Sequence, residues 1–511
     1  MTTVDNKRIL KNTFFLYIRM FLVMGISLYT VRAYLGILGE VDYGIYNVIG
    51  GVVSMLSFMN GTLAASSQRF ISIALAEHDS KKANNVFCLG QSVYLVIIIF
   101  IVIILESVGL WFVNAKLMIP EERMTAANIV YQITIATFFV QMLSIAYYAM
   151  VIAQERMKAF AYIGIFEALL KLGFVFVLRG LPFDRLVCYA GLFFIINLSI
   201  LIIYIAYCRV NFEESKFKFY WNKKDAMEIL GFSGWHLLGT FSTIIRSSGV
   251  NILINTFFNP AVNAARAIAY QVEGALTKFS QNFFKAVIPQ MYKTYANNEI
   301  KELYKLILRS TVICVSLVSL FAIPLYNNIA FVLGLWLKDV PEYTVQFAQL
   351  VLINAIIDAP SDSTICSALA TGRIKKFYLI TGSLYILVLP LAYVCLKLGC
   401  PAISTMFVSI AMSVAALFAR AGILVDLIGF PLKDYIFLII RLSLVSVAIA
   451  FCTYFSTLFF TSDWLALIFS TAVSSILHCL LYFAVVLEKN DRNIVLHFVK
   501  GKLKRHEKII A

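Results

Sequence analysis

Apolar runs of about twenty residues or more recur along the whole chain, separated by short polar breaks. They lie at about 13–36, 45–75, 86–113, 126–152, 160–178, 186–208, 229–257, 264–290, 307–334, 345–370, 377–397, 402–425, 435–459 and 464–487. A bilayer-crossing helix needs about 20 mostly apolar residues, so most of these runs can span a membrane. No break is long enough to hold a soluble domain. Inside lipid every backbone N–H and C=O must be satisfied within the protein, which leaves helices as the economical solution. The expected fold is therefore an all-α polytopic membrane protein of about 14 transmembrane helices. Composition agrees: 61% of the 511 residues are hydrophobic and only 14% charged, against about 25% charged in soluble domains. Disorder, which needs low hydrophobicity and high charge, is excluded.

The charge that remains is unbalanced, with 43 Lys+Arg against 28 Asp+Glu, a net +15. Placed on the breaks, 27 basic residues fall on the side of the N-terminus, including those of the tail 488–511. Seven fall on the other side: Lys116, Arg123, Arg179, Arg185, Arg266, Lys338 and Lys397. The positive-inside rule then puts both termini in the cytoplasm, which requires an even number of spans. Nine cations are left within the runs: Arg19, Arg32, Arg69, Lys171, Arg246, Lys278, Lys285, Arg420 and Arg441. Each costs on the order of 3 kcal/mol at mid-bilayer. Arg420 and Arg441 lie near run ends and are expected to snorkel. Lys171 follows Glu167 by four residues, so a structural ion pair competes with a functional role.

Within the eighth run, Gln271, Lys278 and Lys285 stand at heptad spacing and Asn282 shares their face, since seven residues turn a helix nearly back on itself. Such a stripe either glues helices together or lines a water-filled cavity that receives an anion. The seventh run carries a polar seam of His236, Thr240, Thr243, Ser247, Asn251 and Asn255, with Arg246 beside it. His236 taken alone reads as a core histidine; the whole seam implies an aqueous pathway. In the tenth run Asn354, Asp358 and Asp362 are four residues apart, with Pro360 between the carboxylates. Broken helices with carboxylates suit ion coupling, although these two could equally neutralise cavity arginines. The nine cysteines form no CxxC or Cys/His cluster, and no phosphate loop, GxSxG or HExxH occurs. Neither a metal, a cofactor, an ATPase activity nor a catalytic residue is expected, and the buried basic residues do not suit nucleic acid.

Offset by 220 residues, the break at Leu38–Asp42 falls on Phe258–Val262 and that at Ala76–Lys82 on Ala296–Glu302. Two six-helix halves follow, parallel repeats about an axis along the membrane normal. The expected organisation is an N-lobe over 1–208, a cytoplasmic interfacial linker over 209–228, a C-lobe over 229–425, two further helices over 426–487 and the basic tail 488–511.

The opening Asn6-Lys7-Arg8-Ile9-Leu10-Lys11-Asn12-Thr13 leads into Tyr17-Ile18-Arg19-Met20. Leu38-Gly39-Glu40-Val41-Asp42-Tyr43-Gly44-Ile45-Tyr46-Asn47-Val48 and Gln68-Arg69-Phe70 follow. These segments resemble the polysaccharide and O-antigen flippases (Wzx-type) of the MATE-like multidrug/oligosaccharidyl-lipid/polysaccharide superfamily. The resemblance implies two six-helix lobes around a central cavity, working by alternating access. It implies an undecaprenyl-diphosphate-linked oligosaccharide as substrate, carried across a bacterial plasma membrane. Glycosyltransferases and a glycan polymerase of the same pathway would be partners. Cavity cations would hold the diphosphate, which assigns that role to Arg19, Arg69, Arg246, Lys278 and Lys285, with polar lining from His236, Gln271, Asn282 and Asn251 and ion coupling from Asp358 and Asp362. The alternative within the superfamily is a H⁺- or Na⁺-coupled multidrug antiporter, whose N-lobe would carry carboxylates where Arg19 and Arg69 stand here.

Overall fold

The structure is a computed structural model and describes residues 6–54, 58–115, 117, 119–258, 260–337, 340–486 and 492. Among these there is no strand, and seventeen helices follow one another. They are α1 (Asn6–Ser54), α2 (Phe58–Ala76), α3 (Ser80–Ile104), α4 (Leu110–Ala115), α5 (Glu121–Ala153), α6 (Met157–Gly180), α7 (Arg185–Asn211), α8 (Lys223–Phe257) and α9 (Pro260–Ala296). After them come α10 (Ile300–Asn327), α11 (Ile329–Trp336), α12 (Thr344–Asp358), α13 (Ser361–Thr371), α14 (Lys375–Lys397), α15 (Ser404–Ile428), α16 (Leu432–Thr457) and α17 (Asp463–Leu481).

Among the described residues helix stands in each of the fourteen apolar runs, and eleven of these stretches are long and apolar enough to cross a membrane. The other three are α2, α9 and the pair α12–α13. Each has a physical reason for its lower apolarity. α2 carries Asn60, Gln68 and Arg69; α9 carries Arg266, Glu273, Lys278 and Lys285; and the tenth run is cut after Asp358, with α13 restarting at Ser361 beyond Pro360. At this break the Pro360 carbonyl accepts from Ser363 Oγ at 2.9 Å and from the Tyr435 hydroxyl at 3.5 Å. The protein is a multi-pass membrane protein built of helices. Apart from Arg492, the basic tail lies outside the described residues, as do Lys116 and Lys338.

The 220-residue offset reappears in local geometry. The break at Leu38–Asp42 is a kink at Gly39 (φ 76°, ψ 171°), a left-handed backbone that favours glycine. One repeat later α8 gives way to α9. Next, α2 ends at Ala76 and α9 at Ala296, and the turns that follow place His78 (φ 55°) and Asn298 (φ 57°) in the left-handed region. α3 and α10 then start at Ser80 and Ile300.

Packing divides the chain into two units. The first is Met1–Phe241 with Asn282–Leu303 and Leu369–Tyr378; the second is Ser242–Gln281, Tyr304–Ala368 and Leu379–Ala511. In the first, α5 is the most buried of the spans and packs on α7, α2, α3 and α1. Between α3 and α4 the helix widens by one residue per turn over Leu105–Gly109. The Tyr131 hydroxyl donates to the loosened Leu105 carbonyl at 2.7 Å and lies against Gly109, where a Cβ would collide with it. The linker after α7 is an extended strap held on α3. Asn84 donates to the carbonyls of Glu214 at 2.8 Å and Lys216 at 2.9 Å. Phe217, Phe219 and Trp221 of the strap are exposed.

In the second unit α16 packs on α17 along small buried residues, Ser446, Thr453, Ser456, Ser470 and Ser474, which let helix backbones approach. Hydrogen bonds fasten the pair to α10 and α11. Asn327 donates to Thr453 at 3.0 Å, Asn328 to Ser470 at 2.9 Å, and His478 Nε2 lies 2.9 Å from Ser319 Oγ. Phe437, Leu444, Phe451 and Ile468 point outward, as lipid-facing positions should.

Candidate functional site

Arg69 sits about two turns before the end of α2 and is buried, 7% exposed. Its guanidinium carbon lies 4.8 Å from the Phe70 ring centre and 4.9 Å from that of Phe232. Nη2 donates to the Ala370 carbonyl at 3.4 Å, and Nε is buried without an acceptor among the described residues. Gly372 (φ 73°) closes the turn after α13, and a Cβ there would collide with the Arg69 guanidinium. A cavity of about 220 Å³ opens beside these groups, lined by Arg69, Glu228, Trp235, Arg373 and Lys375 among others. Three cations thus face one carboxylate. Lys375 Nζ stands 5.3 Å from the Trp235 ring. Rings hold Arg69 and Lys375 in place and leave N–H donors for an anion. His236, on the turn after Phe232, stacks on Tyr378 at 5.5 Å; its Nδ1 is buried without a partner among the described residues.

The second predicted group is also in the first unit. Arg19 of α1 lies over the Phe160 ring at 4.4 Å, and Lys285 of α9 approaches the same ring at 5.7 Å. Gly164, one turn after Phe160 on α6, leaves the room that the Arg19 side chain fills. Arg19 Nε is buried with no acceptor among the described residues. Two like charges on one ring repel each other unless an anion joins them.

Glu155 was not singled out in the sequence. It stands in the turn between α5 and α6 with φ 58°, its side chain only 1% exposed. It accepts from Arg8 Nε at 2.9 Å, Gln290 Nε2 at 2.6 Å and Lys293 Nζ at 2.6 Å. Arg8 also donates to the Gln154 carbonyl at 3.1 Å. The repeat relates this knot to Arg69. The left-handed Glu155 and Gly372 both end a turn before the next long helix, α6 or α14, at nearly the 220-residue offset, and each turn receives a polar side chain from near the end of α9 or α2.

The second unit gathers the other assigned charges into a different arrangement. Arg246 lies over the Tyr385 ring at 4.4 Å and donates to Ser413 at 3.3 Å, and Ser413 in turn donates to Asp358 at 3.1 Å. Asn354 donates to Asp358 at 3.0 Å, and Ser280 donates to Asp362. Arg266, Arg246 and Arg420 balance Glu273, Asp358 and Asp362, so the described core of this unit is a near-neutral polar network.

Two expectations are corrected here. Arg266, counted with the far-side breaks, is 2% exposed inside α9, donating to Asn251 and lying over Tyr270 at 4.4 Å. The break before it is too short to hold it, because α9 begins at Pro260. Arg420 does not snorkel: it is 3% exposed and donates to the Tyr385 hydroxyl. Arg441 is exposed. Lys171 makes the ion pair with Glu167, at 2.6 Å. On the heptad stripe Gln271 and Lys278 are exposed, Asn282 is buried and Lys285 is half-buried. Seam hydroxyls bond within α8, Thr240 to the His236 carbonyl and Ser247 to that of Ile244. Among the described residues no group of three or more His, Cys, Asp or Glu side chains could hold a metal ion.

No curated protein sequence matches the chain. Solved structures of a MATE transporter are similar in fold: one in the bent conformation at 14% identity and TM-score 0.68, covering 82% of this chain and 94% of its own. A second, in complex with MaD3S, has 13% identity, TM-score 0.67 and coverages of 82% and 96%. A third is a multidrug/oligosaccharidyl-lipid/polysaccharide superfamily transporter from Pyrococcus furiosus, at 14% identity, TM-score 0.64 and coverages of 80% and 94%. Its binding pocket is described as being of reverse polarity, suggesting a different function. The chain therefore has the MATE fold. A family profile described as polysaccharide biosynthesis protein matches residues 9–295, more than half of the sequence. The chain belongs to that polysaccharide biosynthesis family.

Proposed function

We propose that the protein is a flippase that moves an undecaprenyl-diphosphate-linked oligosaccharide, a repeat unit of O-antigen, capsule or exopolysaccharide, across a bacterial plasma membrane by alternating access. The observation that carries this reading is the excess of ring-held cations over carboxylates around Arg69, with Arg19 and Lys285 sharing Phe160 in the same unit. Arginine forks suit diphosphate oxygens better than any neutral glycan. Membership of a polysaccharide biosynthesis family supports the substrate class, and the fold supports transport. A superfamily transporter with a pocket of reverse polarity is a precedent for a departure from multidrug transport.

In this account Arg69, Arg19 and Lys285 hold the diphosphate, and Arg246 and Lys278 act in the second unit. His236, Asn251, Gln271 and Asn282 meet water or sugar hydroxyls. Asp358 and Asp362 answer to a coupling ion: Asp358 Oδ1 and Asn354 Oδ1 are buried without a donor among the described residues. Both termini are cytoplasmic, and glycosyltransferases and a polymerase of the pathway supply and consume the carried lipid. The multidrug antiporter reading is weaker, because Glu155 and Glu167 of the first unit are each already held by a lysine. Arg69→Gln, expressed in cells lacking the wild-type gene, is expected to abolish surface glycan while the protein remains in the membrane. Unchanged glycan would remove Arg69 from the site.

A further inference from the structure

A second cavity in the first unit, of about 480 Å³, lies at the opposite helix ends from Arg8 and Glu155. It is lined by Tyr29, Arg32, Ala33, Gly36, Ile37, Arg179 and Arg185, with no carboxylate among them. Its size is within the usual range for small-ligand pockets, about 300–1,000 Å³. Three helices deliver the arginines: Arg32 from α1 before the Gly39 kink, Arg179 from the last turn of α6 and Arg185 from the first turn of α7.

Among the described residues, the two neighbouring carboxylates are already engaged elsewhere. Asp42 and Asp184 both accept from Arg123, at 2.7 and 2.5 Å. Arg185 uses one donor on the Ile37 carbonyl at 3.1 Å, which closes the end of the first segment of α1, and a guanidinium has further N–H donors to give. Arg179 is placed favourably by the dipole at the end of α6, whereas Arg185 at the start of α7 is not. The positive-inside rule also disfavours cations on this side; yet Arg179 and Arg185, two of the few found there, meet Arg32 at one cavity.

We infer that this cavity is an anion site for a phosphate or diphosphate group, gripped by Arg32 and Arg179 and framed by Arg185. It goes beyond the proposed function, since its lining does not involve Arg69, Arg19 or Lys285. The phosphate can belong to a bilayer lipid headgroup or to a free diphosphate, and both present the same oxygens to the guanidinium forks.

The test uses the full chain in phosphatidylcholine nanodiscs at low salt, titrated with inorganic diphosphate by calorimetry. The wild type is expected to bind one diphosphate more than Arg32→Gln/Arg179→Gln, or to bind it at least tenfold more tightly. Arg32→Lys/Arg179→Lys should fall between the two, which separates anion binding from a folding defect. A second arm places the same proteins in phosphatidylglycerol nanodiscs and counts retained lipid by native mass spectrometry. Lipid lost from the glutamine variant assigns the site to headgroups; diphosphate binding with no lipid retention assigns it to a free anion. Wild-type binding of both ligands by the glutamine variant, or binding of neither by the wild type, overturns the site. Arg69→Gln is run alongside: its loss of binding with the Arg32/Arg179 difference intact, or the reverse, separates this inference from the proposed function.

Discussion

Replacing Glu155 by Gln removes the one charge on which Arg8, Gln290 and Lys293 converge. The carboxylate is 1% exposed, Lys293 22% and Arg8 44%. Breaking a fully buried pair costs about 3–5 kcal/mol, because the abandoned charge stays desolvated. An exposed pair contributes about 0–1 kcal/mol. Lys293 is close to the first case and Arg8 to the second, and a Gln carbonyl can still accept one donor. About 2–3 kcal/mol is the expected net loss. With an unfolding entropy of about 2.1 cal/mol/K per residue over the first unit, this amounts to a fall of about 4–5 °C in its melting temperature. The assay is intrinsic-fluorescence melting of the purified protein in detergent. Lys293→Gln should cost less, and Glu155→Gln/Lys293→Gln should cost clearly less than the sum of the single changes, because the second removes the charge that the first orphans. An unchanged melting temperature in Glu155→Gln, or strict additivity in the double variant, would refute the reasoning.

Gly164→Ala puts a methyl group into the Arg19 side chain, so transport should fall while the melting temperature holds or rises slightly, alanine being the better helix former by about 1 kcal/mol; glycan level and melting temperature measured together check this. Asp184 is held below the usual carboxylate range, chiefly by its hydrogen bond from Arg123. A depressed folded-state pKa stabilises above the unfolded value of about 3.9 and the effect is lost as pH falls through the folded value. Asp184→Asn should therefore melt lower than wild type at pH 6, by no more than about 1 kcal/mol for a half-exposed pair, with the gap closing below about pH 4 in a pH series of melts. Asp358→Asn should change the dependence of glycan export on a Na⁺ or H⁺ gradient, read by export under an ionophore; unchanged dependence makes Asp358 a counter-charge for Arg246.

The helical membrane fold was legible because hydropathy alone sets it, and even the three less apolar helices stood out by Asn, Gln, Lys and Asp in otherwise apolar runs. Arg19, Arg69 and Lys285 were legible for a related reason: a cation in a span demands an explanation. What surrounds them was not. Arg373 and Lys375 look like ordinary loop charges until the fold brings them 300 residues back to Arg69. Glu155 sat in a short break, and its partner Lys293 is 138 residues away. Arg266 and Arg420 were misplaced because run boundaries are uncertain by a few residues, and a few residues in a helix decide between a snorkelling arginine and one bonded to Asn251 or Tyr385. The 220-residue repeat was visible only in the positions of its breaks, since left-handed turns accept His78 and Asn298 as well as glycine.

The central claim is that the ring-held cations of the first unit carry a lipid diphosphate, and transbilayer movement in proteoliposomes tests it most directly. Purified protein is reconstituted with a fluorescent undecaprenyl-diphosphate oligosaccharide, and its arrival in the outer leaflet is followed by an impermeant quencher. Charge-assisted hydrogen bonds contribute about 1.5–3 kcal/mol each, and 1.4 kcal/mol is tenfold. Arg69→Gln/Lys285→Gln should therefore slow movement at least tenfold, and a lipid with the same glycan but no phosphate should not move faster than in protein-free vesicles. Equal rates for the double variant and the wild type, or equal rates for lipids with and without the diphosphate, would contradict the account.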